Sequence, residues 1–422
     1  MFAPGLDFAF GVTGDSYIQK AAKNNWLLMN DSVADPATTN AMEDLQIRLT
    51  LEPIRDFKID LTANRTINKS QSIQFMFDGM PTTQNGSFNM SIISIGSAFE
   101  KCKAEELYQS KTFNKFLKNL DIIQKRVEAQ YLGAIYPEGT TLAGKTFNPE
   151  NGTIDKNSPD VMIPAFLSAY TGKDVNKISL DFFPNLLSLM PNWRITYGGL
   201  SKLEWFKKHF KSFNLNHAYR STYSVGSYNT YQSFSRFMGN LGFVEDTQTG
   251  DPVPSAAFDI GTVAINEQFA PLFGVDMTFK NGITTKVEYK KTRILTLSMT
   301  ANQIVETSSK DFVVGMGYKI VDLKLFGAGK SKNKVSNDLN IQADFSIRNQ
   351  SALSRDIQEA LAQPTSGNKA TKFSLSADYT FSKLLTIRMY YDRQKNTPLV
   401  SSASYPVTNS DFGFTLKFSL TR

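Results

Sequence analysis

The chain has 422 residues, a formal net charge of +7, an isoelectric point near 9.1, 41% hydrophobic residues and a mean hydropathy of −0.27. No run approaches the ~18–20 uninterrupted apolar residues of a membrane-spanning helix, which excludes a helical membrane protein but not a β-barrel, whose alternating strands average out as soluble. One cysteine, Cys102, and two histidines, His209 and His217, exclude an internal disulfide and a cysteine metal site, and leave little for Ser-His-Asp chemistry.

Residues 1–43 are expected to be irregular or helical, with a short strand at 7–11 and a helix at 16–30. MFAPGLDFAFGVTG has neither the basic n-region nor the continuous apolar core of a secretory leader. From residue 44 a period-2 pattern takes over. Leu45, Ile47, Leu49 and Leu51 alternate with Gln46, Arg48 and Thr50; Phe57, Ile59, Leu61 and Ala63 alternate with Lys58, Asp60, Thr62 and Asn64. Residues 44–99 therefore read as strands. Residues 100–191 read as a helical insertion: Phe113, Phe116, Leu117, Leu120, Ile123 and Val127 recur at helical spacing within 104–133, and a shorter helical piece falls near 160–170.

Strand rhythm resumes over 192–422. The spacing predicts about 14 strands in all, each near the ~10 residues of a tilted membrane strand. They lie near 44–52, 56–66, 70–77, 87–98, 192–198, 213–225, 257–267, 271–280, 283–299, 311–321, 337–349, 371–381, 384–392 and 411–421. Residues 201–211 (SKLEWFKKHFK) read as a short amphipathic helix. It either packs on the protein or lies at a membrane interface, with Trp205, Phe206 and Phe210 in the head-group region and lysines snorkelling. Tight turns are expected at 280–283, where Asn281-Gly282 suits a type I′ hairpin, and at 381–384; long loops are expected at 226–256, 350–370 and 393–410. Counting strands back from the C terminus puts 100–191 on the side of the tight turns, the periplasmic side of an outer-membrane barrel.

One strand resists a simple membrane face. In 283–299 the apolar positions Val287, Tyr289, Leu295, Leu297 and Met299 share parity with Lys291 and Arg293. Those charges must snorkel, project above the membrane, or face protein. The basic residues are mostly interleaved with acids, so nucleic acid is not an expected partner. The denser clusters, KKHFK (207–211) and GKSKNK (329–334), equally suit anionic lipid head groups. No phosphate loop, metal motif or nucleophile elbow appears, and VVGMGYK (313–319) carries its glycines inside a strand pattern. No enzyme activity and no cofactor are expected.

Four segments carry a family resemblance: DLQIRLTLEPIRDFKIDLTANRT (44–66), MIPAFLSAYTGKDVNKISL (162–180), PNWRITYGGLSKLEWFKKHFKSFNLNHAYRSTYSVGSY (191–228) and KVEYKKTRILTLSM (286–299). Together with the final strand they resemble, in order, the C-terminal part of the SprA/Sov family, across essentially the whole chain. That family forms the outer-membrane translocon of the type IX secretion system of Bacteroidota, which is linked to gliding motility. The resemblance implies a very large barrel that conducts cargo proteins to the cell surface through a lateral opening. Its implied partners are secreted cargo, a PorV-type outer-membrane barrel, a periplasmic plug protein, the upstream part of the same translocon, and membrane lipid; it implies no catalytic residues. Family members are several times longer and carry a signal peptide, so the chain is expected to be a C-terminal portion.

The expected fold is thus all-β: a transmembrane antiparallel β-barrel segment, an arc of a very large barrel, with a helical insertion. Phe373, Tyr379, Tyr391, Phe412, Phe414 and Phe418 are expected to face lipid. Lys58, Asp60, Gln342, Asp344 and Arg388 are expected to face the lumen. The expected location is the outer membrane of a Gram-negative cell. The alternatives are a soluble all-β adhesin or binding module, and a stand-alone porin-like barrel.

Overall fold

The computed structural model describes residues 5–9, 15–27, 35–74, 82–102, 105, 107–149, 154–246, 248–323, 337–382, 384–400 and 405–418. The basic cluster at 329–334 and residues 419–422, the end of the strand expected over 411–421, fall outside them. The strands are β1 (Ala37–Ile54), β2 (Phe57–Ile73), β3 (Thr83–Ser91), β4 (Asn192–Tyr197), β5 (Phe210–Thr230), β6 (Ser235–Met238), β7 (Leu241–Glu245), β8 (Pro252–Ala256), β9 (Phe258–Asp259), β10 (Thr262–Phe279), β11 (Thr284–Ser298), β12 (Gln303–Ile320), β13 (Leu339–Asp356), β14 (Ala362–Thr380), β15 (Leu385–Pro398) and β16 (Val407–Phe418). The helices are α1 (Gly5–Ala9), α2 (Asp15–Lys23), α3 (Ile95–Ala98), α4 (Lys111–Gln130), α5 (Pro159–Thr171) and α6 (Glu204–His209).

The protein is mostly β. Thirteen strands make one antiparallel sheet in the order β1-β2-β3-β5-β10-β11-β12-β13-β14-β15-β16, with β4 between β2 and β5 and β9 on the end of β5. β6, β7 and β8 form a separate small sheet.

The strands of the large sheet are longer than their hydropathy suggests, and some expected pairs are single strands. The expected pairs 56–66 with 70–77 and 257–267 with 271–280 are each one strand, β2 and β10. β10 stays continuous past Pro271 because the proline, which has no amide to donate, sits in a register shift between Phe269 and Phe273. The loops expected at 350–370 and 393–410 are strand for most of their length. β13 and β14 meet around 357–361, and β15 runs on to Pro398. The expected loop 226–256 contains the end of β5 and the small sheet. Residues 5–9 are helical rather than strand, and the strand expected over 87–98 stops at Ser91.

β3 and β4 share the gap between β2 and β5 and act as one strand split in its middle. The chain leaves at Ser91, makes the insertion, and returns at Asn192. Side chains bridge the break. Ser91 Oγ accepts from the Asn64 amide and from Asn192 Nδ2, both at 3.1 Å, and Asn192 Oδ1 accepts from the Ser221 amide at 2.7 Å.

Within the insertion, Ser110 caps α4 by accepting from the Phe113 amide at 3.0 Å. The predicted apolar stripe of α4 is buried, and α5, apolar all round, is buried almost throughout. They join Phe88, Tyr223, Val225, Val263, Ile265, Leu295, Leu297 and Ile304 of the sheet in one core. The insertion therefore packs on one face of the sheet, over parts of β3, β5, β10, β11 and the start of β12. It lies at the end opposite the turns at 280–283 and 381–384, which corrects the side expected for 100–191. Merging 257–280 into one strand removes a reversal from the count and flips the parity.

Candidate functional surfaces

Strand pairing sorts the side chains onto two faces. One continuous register runs Val275–Val287–Val314–Phe345–Phe373–Arg393–Ser410. Its neighbours two residues along each strand share the face, because side chains alternate. Phe373, Tyr379, Tyr391, Phe412, Phe414 and Phe418 all fall on this apolar face. Phe412 and Phe414 are each 63% exposed and Phe418 66%. Tyr379 departs from the expectation: it is 6% exposed, its hydroxyl donates to the Leu323 carbonyl at 3.0 Å, and it accepts from Asn337 Nδ2 at 3.4 Å.

Lys58, Asp60, Gln342, Asp344 and Arg388 fall together on the opposite face. Asp60 pairs with Lys58 at 3.1 Å and accepts from Thr50 at 2.7 Å; Arg388 pairs with Asp378 at 3.4 Å, and Arg348 with Asp311 at 3.0 Å. Gln342 and Asp344 line two adjoining clefts of about 460 and 390 Å³, walled by Asn214, Asp276 and Lys286 on one side and by Arg388, Asp392 and Thr415 on the other. Charges of both signs are interspersed along this face. Among the described residues no three His, Cys, Asp or Glu side chains gather as a metal would require.

The exposed apolar residues form a band, and the band is diagonal to the register. Starting at Leu49, in the middle of the apolar set of β1, one row of paired residues runs Leu61–Trp193–Tyr219–Phe269–Lys291–Lys310–Asn349–Lys369–Thr397. It starts among leucines and ends among polar residues. On β15 the apolar set centres on Met389, eight residues from Thr397, after nine strand steps. The band thus shifts by about one residue per strand. With ~3.4 Å per residue and ~4.8 Å between strands, a level band requires strands tilted by ~35°. On β12 it runs from Phe312 to Ile320, ~27 Å along the strand and ~22 Å tall after the tilt.

The same geometry resolves Lys291 and Arg293. Both lie beyond the edge of the band, and both face protein. Arg293 pairs with Glu267 at 2.9 Å, and its Nη1 donates to the Ser97 carbonyl at 2.7 Å. Glu267 also accepts from Ser94 Oγ at 2.7 Å and Tyr219 Oη at 2.9 Å. Lys291 donates to the Ala98 carbonyl and lies over the Phe99 ring. Further along, Arg355 donates to the Tyr108 carbonyl at 2.6 Å and to Cys102 Sγ at 3.2 Å. These buried charges bind the start of the insertion to the sheet. They were visible in the sequence only as an anomaly.

At the opposite edge of the band, Trp205, Phe206, Phe210, Phe213 and Phe279 form an aromatic cluster with ring centroids 4.7–6.2 Å apart, beside Lys207 and Lys208. The helix here is shorter than the expected 201–211. α6 has six residues, and Phe210 is already the first residue of β5. Trp205 is 63% exposed.

No protein-family model matches the chain, and no curated protein does. Among solved structures, a match is found to OmpT, an outer membrane protein of Vibrio cholerae in its in-vitro folded trimer form. It has 11% identity and a TM-score of 0.23, covering 90% of this chain and 99% of that one. No described helix is long and apolar enough to cross a membrane, which leaves strands as the crossing element to consider.

Proposed function

We propose that the sheet is an arc of the wall of an outer-membrane, protein-conducting channel, with the apolar band in lipid and the polar face toward the conduit. The diagonal of the band carries this proposal. A tilt of ~35° and a height of ~22 Å agree with the 35–45° tilt and ~25 Å apolar band of outer-membrane barrels. The aromatic cluster beside lysines at one edge suits a membrane interface. In a soluble adhesin this continuous apolar band would lie in water, whereas soluble monomers rarely leave contiguous apolar patches open beyond a few hundred Å².

Strand direction argues for an arc rather than a stand-alone porin. The path from β1 to β16 has eleven positions, all antiparallel, so its two edge strands run the same way. Bacterial single-chain barrels close with an even number of antiparallel strands. Joining β1 to β16 would make a parallel seam, and so would a second copy in the same membrane orientation. An odd number of further strands completes the ring.

The finer proposal is a wall segment of a type IX translocon, associated with gliding motility, that exports cargo proteins. Its partners would be a PorV-type barrel, a periplasmic plug protein and the upstream part of the same translocon, and it would carry out no catalytic step. Support comes from the resembling segments: 44–66 make most of the β1–β2 hairpin, and 191–228 make β4, the strand on which the chain returns from the insertion, α6 and most of β5. The test is a photo-crosslinking residue placed at Gln342, Asp344 or Arg388, and separately at Phe373 or Phe414, in secreting cells. The polar positions are expected to capture secreted proteins and the apolar ones lipid. Capture of cargo from both faces, or from neither, refutes the proposal.

A further inference from the structure

The insertion sits on the same face as the apolar band, so on the proposed reading it hangs outside the wall, on the lipid side. Two hydrogen bonds to its backbone hold the end of its return path to the sheet. The Pro184 carbonyl accepts from Arg65 Nε at 3.4 Å, and the Met190 amide donates to the Ser91 carbonyl at 3.2 Å. Between these anchors the chain makes a single turn, Leu186–Ser188, with Leu187 at its most exposed point. Leu187 is 91% exposed and Leu186 54%. Leu187, at the tip of an anchored turn, buries almost nothing against its own chain, and Leu186 beside it is half exposed.

The level of that turn is fixed by the register. Arg65 pairs across to Leu45, and Ala63, two residues along β2, pairs to Ile47. Leu45 and Ile47 are exposed members of the band on β1. Because the band climbs toward β1, its apolar rows there lie level with the insertion, whereas on β12 to β16 they lie well away from it. The Leu186–Ser188 turn therefore stands beside band leucines, on the same face and at the same height.

We propose that Leu186 and Leu187 insert into the hydrocarbon of the adjacent membrane leaflet, as a foot by which the insertion rests on the bilayer next to the β1–β2 hairpin. The occupant is lipid because the turn is continuous with the band and carries no charge between Asp181 and Arg194. This rests on the membrane reading of the band, and the test separates the two.

In proteoliposomes of the full chain together with the strands that complete its ring, a single cysteine replacing Leu187 carries a bimane label, and phosphatidylcholine carries a nitroxide on its acyl chain. Label at Phe414 reports the band, and label at Leu132, an exposed residue elsewhere on the insertion, reports water. The expected result is loss of fluorescence at 187 matching that at 414, with 132 quenched by aqueous iodide instead. Iodide quenching at 187 with lipid quenching retained at 414 overturns the foot and leaves the wall standing. Protection of 187 from both quenchers also overturns it, in favour of a protein partner. Absence of lipid quenching at 414 overturns the membrane reading itself.

Discussion

A lysine placed along one register row tests the tilted wall more sharply than any single substitution. The row Met316–Ala343–Leu375–Tyr391–Phe412 crosses from β12 to β16 on the apolar face. Met316 is the middle of the band on its strand and is 50% exposed, Leu375 is 40% exposed and Phe412 63%. In water, lysine at each would cost little. In a bilayer with strands tilted ~35°, each step of ~4.8 Å raises a residue by ~2.8 Å. Leu375 then lies ~6 Å and Phe412 ~11 Å above Met316, the latter close to the edge of a ~25 Å band. Met316→Lys is expected to cost about 2–4 kcal/mol, Leu375→Lys an intermediate amount and Phe412→Lys about 0–1 kcal/mol, following the depth dependence of charge on a barrel's lipid face. Arg393 already obeys the rule: it shares a row with Val314, yet three strand steps carry it past the edge. The assay is denaturant unfolding in lipid vesicles, followed by the heat-modifiable fraction on a gel. Equal costs along the row, or a larger cost at Phe412 than at Met316, would refute both the tilt and the membrane.

Three further outcomes follow from local chemistry. Arg293→Met leaves Glu267 buried without its partner and is expected to destabilise docking of the insertion by about 3–5 kcal/mol, read as faster proteolysis within 100–191; Glu267→Gln in the same chain should recover much of the loss. Gly413 lies under Tyr390, and a Cβ there would sit 2.5 Å from the ring hydroxyl, so Gly413→Val should lower the folded yield while Thr415→Val, also on the polar face, should not. Burial raises the carboxyl of Asp160, at the start of α5, to about 6 from its ordinary 3.8, against one hydrogen bond from the Ala256 amide. The folded insertion then holds this proton more tightly than the unfolded chain. Its stability should fall as pH rises from about 4 through 6, by roughly 3 kcal/mol. Hydrogen exchange in α5 should be slower at pH 5 than at pH 8, and Asp160→Asn should abolish the difference.

The faces were legible in the sequence and the rows were not. Alternation on β13, from Leu339 to Ile347 against Asn340 to Arg348, sorts the side chains correctly because period 2 is a property of each strand alone. Strand length was hidden for a related reason. Beyond the band, β13 and β14 are polar on both faces, with Asn349, Gln350 and Ser351 facing Lys369, Asn368 and Gly367, so the alternation of hydropathy stops where the strand does not. Hence 350–370 looked like loop. The conflict at Lys291 and Arg293 was visible, but its resolution needs Ser94, Ser97 and Ala98, nearly two hundred residues earlier, to dock against them. The foot at Leu186 and Leu187 needed the register of β1 against β2 before its height meant anything.

Direction and diagonal together constrain what completes the sheet. Among the described residues β1 and β16 each leave one side without a strand, and both run from the insertion end toward the tight turns. A strand beside either edge must therefore run the other way. It must also continue the climb of the band: its apolar set should centre about one residue further from the tight turns beyond β1, and about one residue nearer to them beyond β16, or the band would break at the seam and bring charge to hydrocarbon depth. A flat, untilted partner fails the second condition, and a second copy of the same arc fails the first. On the proposed reading, the exposed aromatic face of β16 belongs to an edge whose direction and register set what can join it.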